Sequence, residues 1–341
     1  MLPNLEKPGS SAARNMDKHI VVTGGAGFIG SHLTERLLEG GWAVVVIDDF
    51  STGNSENLAA VANYPGLSIL PSKVSECARL TELVAGAEFV FHLAAAVGVE
   101  LILKEPLQAI HTNLRETEAI LEAASQAGTP LLLTSTSEVY GKSQKGYLEE
   151  TDDLIIGQPH LSRWAYSCSK LMDEFLAFAH ARTRNLPVTV VRLFNTAGPR
   201  QTGRFGMVMP RFVEAALRGE PLRVHGDGRQ TRCFCHVADT VEVLVRLQRL
   251  PGARGQVVNI GSNEEITMVD LARRVVTTLG SKSEIQLIPY DAAYPPGFEE
   301  MHRRRPSLSV LGALTGFSPA RSLEAIILDV AESIRGSRKA G

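Results

Sequence analysis

Apolar positions along this chain fall into short runs typical of buried strands, separated by stretches with helical spacing. The pattern predicts a strand that starts at Ile20 and further strands over residues 43–47, 67–70, 88–96, 131–134, 188–194 and 257–260. Helices are predicted over residues 31–38, 111–124 and 210–218, and another opens near Ser162. Strands that alternate with helices indicate an α/β fold with a doubly wound parallel sheet.

The alternation fades after residue 195, where loops, helices and short strands mix. We expect a disordered tail over residues 1–17, a first domain over 18–195 and a smaller, mixed α/β domain over 196–335. The two domains are expected to interleave, with residues 257–262 returning to the first sheet. The segment 290–306, rich in Pro, Tyr, Gly and charge, is the expected lid or binding loop.

The first predicted strand runs into Gly24, Gly27 and Gly30, a G-x-x-G-x-x-G sequence ahead of a helix. The first glycine permits a tight turn, the second lets a phosphate approach the backbone, and the third lets helix and strand pack closely. The helix N-terminus would then face the anion. This order of elements predicts a dinucleotide site.

Asp48 and Asp49 end the next apolar run, and Asp48 lies 18 residues beyond Gly30. A carboxylate at about this spacing binds the adenosine ribose hydroxyls and would repel a 2′-phosphate, which predicts NAD rather than NADP. The polar loop that follows also fits a cofactor contact. Alanines at the end of the fourth strand either approach the nicotinamide ribose and pyrophosphate or make room for a helix.

Hydroxyl and carboxylate side chains follow the fifth strand at Thr136, Ser137 and Glu138. Ligands of such sheets collect at the carboxyl ends of the strands, so chemistry is expected here. Tyr166 and Lys170 follow at helical i, i+4 spacing, which places them on one face of a helix. An ammonium below a phenol favours phenolate and would lower a pKa that is ordinarily about 10.

Composition narrows the class of protein. The 341 residues are 44% hydrophobic and 21% charged, with a net charge of −2 and without a basic block. We therefore expect a large core, no nucleic-acid partner and no membrane span. The four cysteines lack paired spacing, which favours reduced thiols of a cytoplasmic protein and no metal site.

The motifs T-G-x-x-G-x-x-G, H-L-A-A, Tyr-x-x-x-Lys and F-N-T-x-G-P-R together resemble the extended short-chain dehydrogenase/reductases, in particular their nucleotide-sugar epimerases, dehydratases and decarboxylases. The T-S-E-V-Y-G strand exit, the R-W-x-Y-S-x-S-K helix and the H-R-R-R-P segment are most similar to UDP-glucuronate decarboxylases of the UDP-xylose synthase type. Lys73-Val74 departs from the Asp-Val that this family commonly has near the adenine.

The resemblance implies oxidation of a UDP-sugar at C4 by NAD, loss of CO₂ from C5, and UDP-xylose or a UDP-4-keto-pentose as product. A UDP-sugar 4-epimerase acting on UDP-glucuronate or UDP-glucose and a nucleotide-sugar 4,6-dehydratase remain alternatives. It also implies a homodimer through the Tyr-Lys helix, where Leu171, Phe175 and Phe178 serve either that contact or the core.

The implied site residues form three sets. The catalytic set is Thr136, Ser137, Glu138, Tyr166, Lys170 and Arg304. The NAD set, which includes Tyr166 and Lys170, adds Gly24, Gly27, Phe28, Ile29, Gly30, Asp48, Asp49, Ser51, Thr52, Gly53, Leu93, Ala94, Ala95 and Asn113. The substrate set is Asn195, Arg232 and Arg304, with the arginines near the diphosphate and the sugar carboxylate.

Overall fold

The computed structural model describes residues 18–98, 105–294 and 299–340. In chain order its strands are β1 His19–Thr23, β2 Ala43–Asp48, β3 Leu67–Pro71, β4 Ala87–His92, β5 Leu131–Thr136, β6 Val188–Leu193, β7 Thr196–Ala197, β8 Leu222–His225, β9 Thr231–Cys233, β10 Cys235–His236, β11 Val257–Ile260, β12 Glu265–Thr267, β13 Ile285–Ile288 and β14 Arg303–Arg304. The α-helices are α1 Phe28–Glu39, α2 Leu80–Ala85, α3 Pro106–Ala127, α4 Ala165–Arg184, α5 Val208–Arg218, α6 Val237–Gln248, α7 Met268–Leu279, α8 Tyr290–Ala293, α9 Ser309–Thr315 and α10 Leu323–Ala340.

The main sheet has seven parallel strands in the order β3-β2-β1-β4-β5-β6-β11. The order reverses direction between β1 and β4, which is the switch point where doubly wound folds bind ligands. β11 pairs with β6, so a strand from the second half of the chain completes the first sheet. This is the doubly wound α/β fold that the sequence predicts.

Helices cover both faces of the sheet. Ile20 and Val22 of β1 pack with α1, α6 and α9 on one face, whereas Val21 packs with α2, α3 and α4 on the other. Successive side chains of a strand point to opposite faces, so a strand buried on both sides must be apolar throughout. The continuous apolar runs in the sequence have this cause.

The second half of the chain builds a smaller core from α5, α7 and α10 around β8. Short strand pairs surround this core: β8 with β13, β9 with β12 and β14, and β7 with β10. None of the described helices combines the length and the apolar character needed to cross a membrane.

Several element boundaries differ from the sequence prediction; α3, for example, begins at Pro106 rather than at residue 111. β4 ends at His92 rather than at residue 96, because the chain leaves the sheet after Leu93 donates its N–H to Thr23 O. β5 continues to Thr136, and α1 begins at Phe28 instead of Ser31 because the glycine turn is tighter than the apolar pattern suggested. The predicted tail 1–17 and residues 295–298 of the predicted binding loop lie outside the described residues.

Candidate active site

The glycine turn between β1 and α1 has no room for side chains. Gly24 has φ +70°, and a Cβ on Gly30 would lie 2.0 Å from Gly24 O. A Cβ on Gly24 would lie 2.7 Å from Ala94 N, so the turn also packs against the loop after β4. The first turn of α1 carries no acidic side chain, which leaves its N-terminus favourable for an anion. The turn therefore fits a cofactor pyrophosphate.

Asp48 and Asp49 hold the loop that flanks this turn. Asp48 accepts backbone N–H groups from Ala26 at 2.8 Å and from Phe50 at 2.9 Å. Burial raises the pKa of Asp48, and these two bonds oppose that rise. Asp49 accepts the N–H and the hydroxyl of Ser51. An ionised carboxylate has about four acceptor positions, so both can also accept from ribose hydroxyls.

Asn113 of α3 braces the loop after β4. Its Oδ1 accepts the N–H of Ala96 at 2.8 Å, and its Nδ2 donates to Ser169 Oγ at 3.0 Å. These bonds engage both ends of the nearly fully buried amide, whereas the sequence places Asn113 among cofactor contacts. These bonds hold the loop that carries Leu93, Ala94 and Ala95 to the cavity, and a contact between Asn113 and the cofactor stays a prediction.

Tyr166 and Lys170 lie side by side on α4, where the i, i+4 spacing places them. The Tyr166 hydroxyl hydrogen-bonds to the Thr136 side chain. The expected lowering of its pKa is absent: burial raises the pKa of Tyr166, and the carboxylates of Glu138 and Asp173 raise it further. Lys170, the cation expected to oppose this rise, has its Nζ paired with Asp173 Oδ2 at 2.7 Å.

Glu138 lies between two arginines. Its Oε2 accepts from Arg163 Nη1 at 2.5 Å, and its Oε1 accepts from Arg304 Nη1 at 3.3 Å. Burial alone would raise the pKa of Glu138, but the Arg163 and Arg304 charges outweigh it and lower the pKa to about 2. Glu138 is thus a carboxylate at any physiological pH.

Arg304 lies in a part of the cavity wall where two other arginines add positive charge. Burial, together with the charges of Arg232 and Arg163, lowers the pKa of Arg304 to about 9. Its Nε is buried and makes no hydrogen bond among the described residues. Because arginine stays protonated in proteins, an added anion would relieve this unfavourable environment. A carboxylate or phosphate group of a ligand fits that requirement.

The two remaining predicted substrate residues are engaged by their own chain. Arg232 donates to the carbonyls of Thr231 and Met301 and to Glu300 Oε1 at 2.7 Å. Asn195, at φ +32°, donates to Cys233 O at 3.1 Å. A diphosphate at Arg232 would have to share or replace the bond to Glu300. Their roles in substrate binding stay predictions.

One cavity of about 1620 Å³ brings most of these residues together. The predicted residues on its wall are Gly24, Gly27, Phe28, Ile29, Gly30, Asp48, Asp49, Ser51, Thr52, Gly53, Leu93, Ala94, Ala95, Thr136, Ser137, Glu138, Tyr166, Lys170, Asn195, Arg232 and Arg304. The cavity runs from the glycine turn to α5 and β8, and therefore spans both halves of the chain.

Many wall residues were not assigned to the site from the sequence, among them Arg163, Tyr294 and Glu300. Arg163 stands in the R-W-x-Y motif, and the other two lie in the predicted binding loop. The sequence signal for Arg163 is its place in the R-W-x-Y motif beside Tyr166, because the burial that makes Glu138 require cationic partners is visible only in the structure.

A doubly wound sheet, a glycine turn at its switch point and a buried Tyr-Lys pair facing the same cavity define an NAD-binding enzyme of the extended short-chain dehydrogenase/reductase class. Residues 20–261 match the model of the NAD dependent epimerase/dehydratase family, and the chain belongs to that family. NAD is therefore its cofactor, as the sequence predicts.

Named relatives resemble the chain over most of its length. A UDP-N-acetyl-alpha-D-glucosaminuronate decarboxylase from Bacillus cytotoxicus is 39% identical over 311 residues, covering 91% of this chain and 95% of the relative. UDP-glucuronic acid decarboxylase 2 from Arabidopsis thaliana is 35% identical, covering 94% and 70%. The structure of a UDP-glucuronic acid 4-epimerase from Bacillus cereus, in complex with UDP-glucuronic acid and NAD, has a TM-score of 0.84 at 27% identity, covering 94% and 99%.

Proposed function

We propose that the chain is an NAD-dependent decarboxylase of a UDP-linked uronic acid, with UDP-glucuronate as substrate and UDP-xylose or a UDP-4-keto-pentose as product. The observation that carries this proposal is Glu138 held between Arg163 and Arg304 on the wall that also presents Tyr166. With Arg232 and Glu300, three guanidinium groups there face two carboxylates. The excess positive charge suits a sugar carboxylate, and decarboxylases of such substrates are among the chain's relatives.

Bound NAD supplies a hydride acceptor for C4 of the sugar. Among the chain's own residues, Tyr166 is the group that takes the proton of the C4 hydroxyl, since its phenol lies in the cavity beside Thr136. Thr136 and Ser137 hydrogen-bond the same oxygen and fix its position. Lys170 supplies a positive charge on the same helix face, which favours the tyrosinate while the proton is transferred.

Oxidation at C4 turns the C5 carboxylate into that of a β-keto acid. The C5–C6 bond then breaks, CO₂ leaves, and the bonding electrons move into the C4 carbonyl to give an enolate. Tyr166 and Ser137 can donate hydrogen bonds to that enolate oxygen, as an oxyanion hole does. Arg304 would hold the carboxylate before it leaves, and a proton finally enters at C5 to give the UDP-4-keto-pentose. UDP-xylose would form if the hydride taken from C4 returned to the C4 carbonyl, with Tyr166 giving its proton back to the oxygen.

The low pKa of Glu138 limits the roles that this carboxylate can have in the reaction. A carboxylate whose pKa is about 2 is a poor proton donor, so its contribution is to orient Arg163 and Arg304 and to place negative charge near the departing carboxylate. A 4,6-dehydratase would need Glu138 as the base at C5; the group is ionised, as that role requires, but its low pKa makes it a weak base. Product analysis must therefore separate the two reactions.

The decisive experiment incubates the purified protein with NAD and, in separate arms, UDP-glucuronate, its 2-acetamido counterpart and UDP-glucose. The expected result is CO₂ and a pentose nucleotide from UDP-glucuronate, with Tyr166→Phe as the inactive control. CO₂ from the 2-acetamido uronate alone would move the proposal to that substrate. A uronate of unchanged mass with inverted C4 would identify a 4-epimerase, and loss of water from UDP-glucose would identify a dehydratase; either would replace the proposal.

A further inference from the structure

A buried carboxylate, that of Asp173, pairs with the lysine of the Tyr-Lys pair. Asp173 follows Lys170 by three residues on α4, and its Oδ2 accepts from Lys170 Nζ at 2.7 Å. The exposed fractions of the two side chains are 2% for Lys170 and 0% for Asp173. Lys170 lies on the cavity wall, so the ammonium has the cavity on one side and a buried carboxylate on the other.

The groups around Asp173 leave Lys170 as its cationic partner. Thr117 approaches from α3 and helps to lower the pKa of Asp173, whereas burial and the Glu174 carboxylate raise it. Asp173 Oδ1 completes no hydrogen bond among the described residues. His92 of β4 hydrogen-bonds to Thr117 at 3.2 Å, but burial and the Lys170 charge lower its pKa to about 3, so His92 is neutral.

The pairing changes what Lys170 can do for Tyr166. The attraction between an ammonium and a phenolate is partly cancelled when a carboxylate lies 2.7 Å from that ammonium in a water-poor interior. Among the described residues, the charged groups that act most strongly on Tyr166 are Glu138 after β5, Asp173 on α4 itself and Arg163 before α4. Of these, Asp173 is the one whose position is tied to Lys170.

We propose that Asp173 is a positioning residue, which anchors the Lys170 ammonium beside the cavity and keeps Tyr166 a neutral phenol in the cofactor-free protein. The phenol would then ionise only after cofactor and substrate have bound. This inference rests on the proposed function for Tyr166 as the proton acceptor. It concerns the protonation of the free protein, which is measured without substrate.

The test is a spectrophotometric titration of phenolate in the cofactor-free protein, with the curve of Tyr166→Phe subtracted to isolate Tyr166. In the wild type we expect no Tyr166 ionisation below the ordinary tyrosine pKa of about 10. In Asp173→Asn we expect the Tyr166 pKa to fall by about one unit, a roughly tenfold larger ionisation constant. Glu82→Gln, which removes an exposed i, i+3 partner of Arg79 on α2, is the matched control and should change nothing.

Where substrate turnover is available, the acid limb of the kcat/KM profile should move to lower pH in Asp173→Asn and stay in place in Glu82→Gln. Ionisation of Tyr166 well below pH 10 in the wild type overturns the proposal, and this outcome needs no Asp173 variant. An Asp173→Asn protein that melts earlier with an unmoved Tyr166 curve also overturns it, because Asp173 would then be structural only. Absence of decarboxylation together with the expected titration would remove the proposed function and leave this inference standing.

Discussion

At the scale of single residues, the site depends on how charges are paired in a buried wall. Glu138, Arg163 and Arg304 form one group, and Lys170 and Asp173 form another. Isolated charges in such surroundings would cost several kcal/mol each, so each pairing fixes both a position and a protonation state. Tyr166 lies between the two groups and responds to both.

Replacing Tyr166 by Phe removes the hydroxyl that is proposed to accept the proton, without changing the shape of the ring. We expect kcat to fall by roughly 10²–10⁴-fold, the usual contribution of a positioned acid–base group. Binding of NAD, followed by protein fluorescence, should change little. A variant that retains more than about a tenth of the wild-type kcat would exclude Tyr166 as the proton acceptor.

Glu138→Gln tests the arginine-paired carboxylate. A hydrogen bond to a charged group contributes about 1.5–3 kcal/mol, so we expect kcat/KM for decarboxylation to fall by about 10- to 100-fold. Because the pKa of Glu138 is about 2, the group is ionised throughout the assay range and the loss should be similar at each pH. A loss confined to one limb of the profile, measured between about pH 5 and pH 9, would show that Glu138 titrates.

At the scale of elements, the turn from β1 to α1 is the most constrained connection. Gly30 packs directly on Gly24 O, and Gly24 packs on the loop after β4. Strand, turn and helix therefore act as one unit, and a change in the turn moves the N-terminus of α1 away from the phosphate position.

Gly30→Ala should strain this unit, since its Cβ would lie 2.0 Å from a backbone oxygen. We expect a loss of about 1–3 kcal/mol in the free energy of unfolding, the usual cost of overpacking, together with weaker NAD binding. Gly312→Ala in α9 is the control, because no heavy atom of the described residues, apart from its chain neighbours and its own helical backbone, lies within 4 Å of the added Cβ. That variant should be neutral or slightly stabilising in urea unfolding.

At the scale of the whole molecule, the cavity extends from the glycine turn to the second half of the chain, and we expect its two ends to bind two different ligands. At the cofactor end, the Asp48 and Asp49 carboxylates should repel a 2′-phosphate. We expect NAD to bind at least about tenfold more tightly than NADP in a calorimetric titration. Equal affinities would show that Lys73, which also lies on the cavity wall, compensates for the carboxylates.

The homodimer implied by the family resemblance has a candidate surface on α4. Phe175 is 60% exposed and Met172 is 49% exposed, three residues apart on one face, whereas Leu171 and Phe178 pack inward. We predict a dimer that Phe175→Asp converts to monomers in analytical ultracentrifugation. Leu328→Asp, an equally apolar and half-exposed position on α10, should leave the dimer intact. A monomeric wild type would rule this surface out.

The sequence alone determined the features that depend on local order along the chain. These features depend only on the spacing of residues, which the sequence shows directly. They are the apolar runs that are buried on two faces, the glycine turn before a helix, and the tyrosine one helical turn from a lysine. The parallel sheet and the NAD cofactor were predicted on this basis. The residue at which β4 ends could not be predicted from spacing, because it depends on the hydrogen bond from Leu93 N to Thr23 O of β1, which is distant in the sequence.

The tertiary structure decided what depends on residues far apart in the chain. Only folding brings Arg163 and Arg304 onto Glu138 and pairs Lys170 with Asp173 near the Tyr166 phenol. Spacing predicted that Lys170 would lower the Tyr166 pKa, and the fold reversed that direction. Protonation depends on burial and on every charge nearby, and neither is a property of the local sequence.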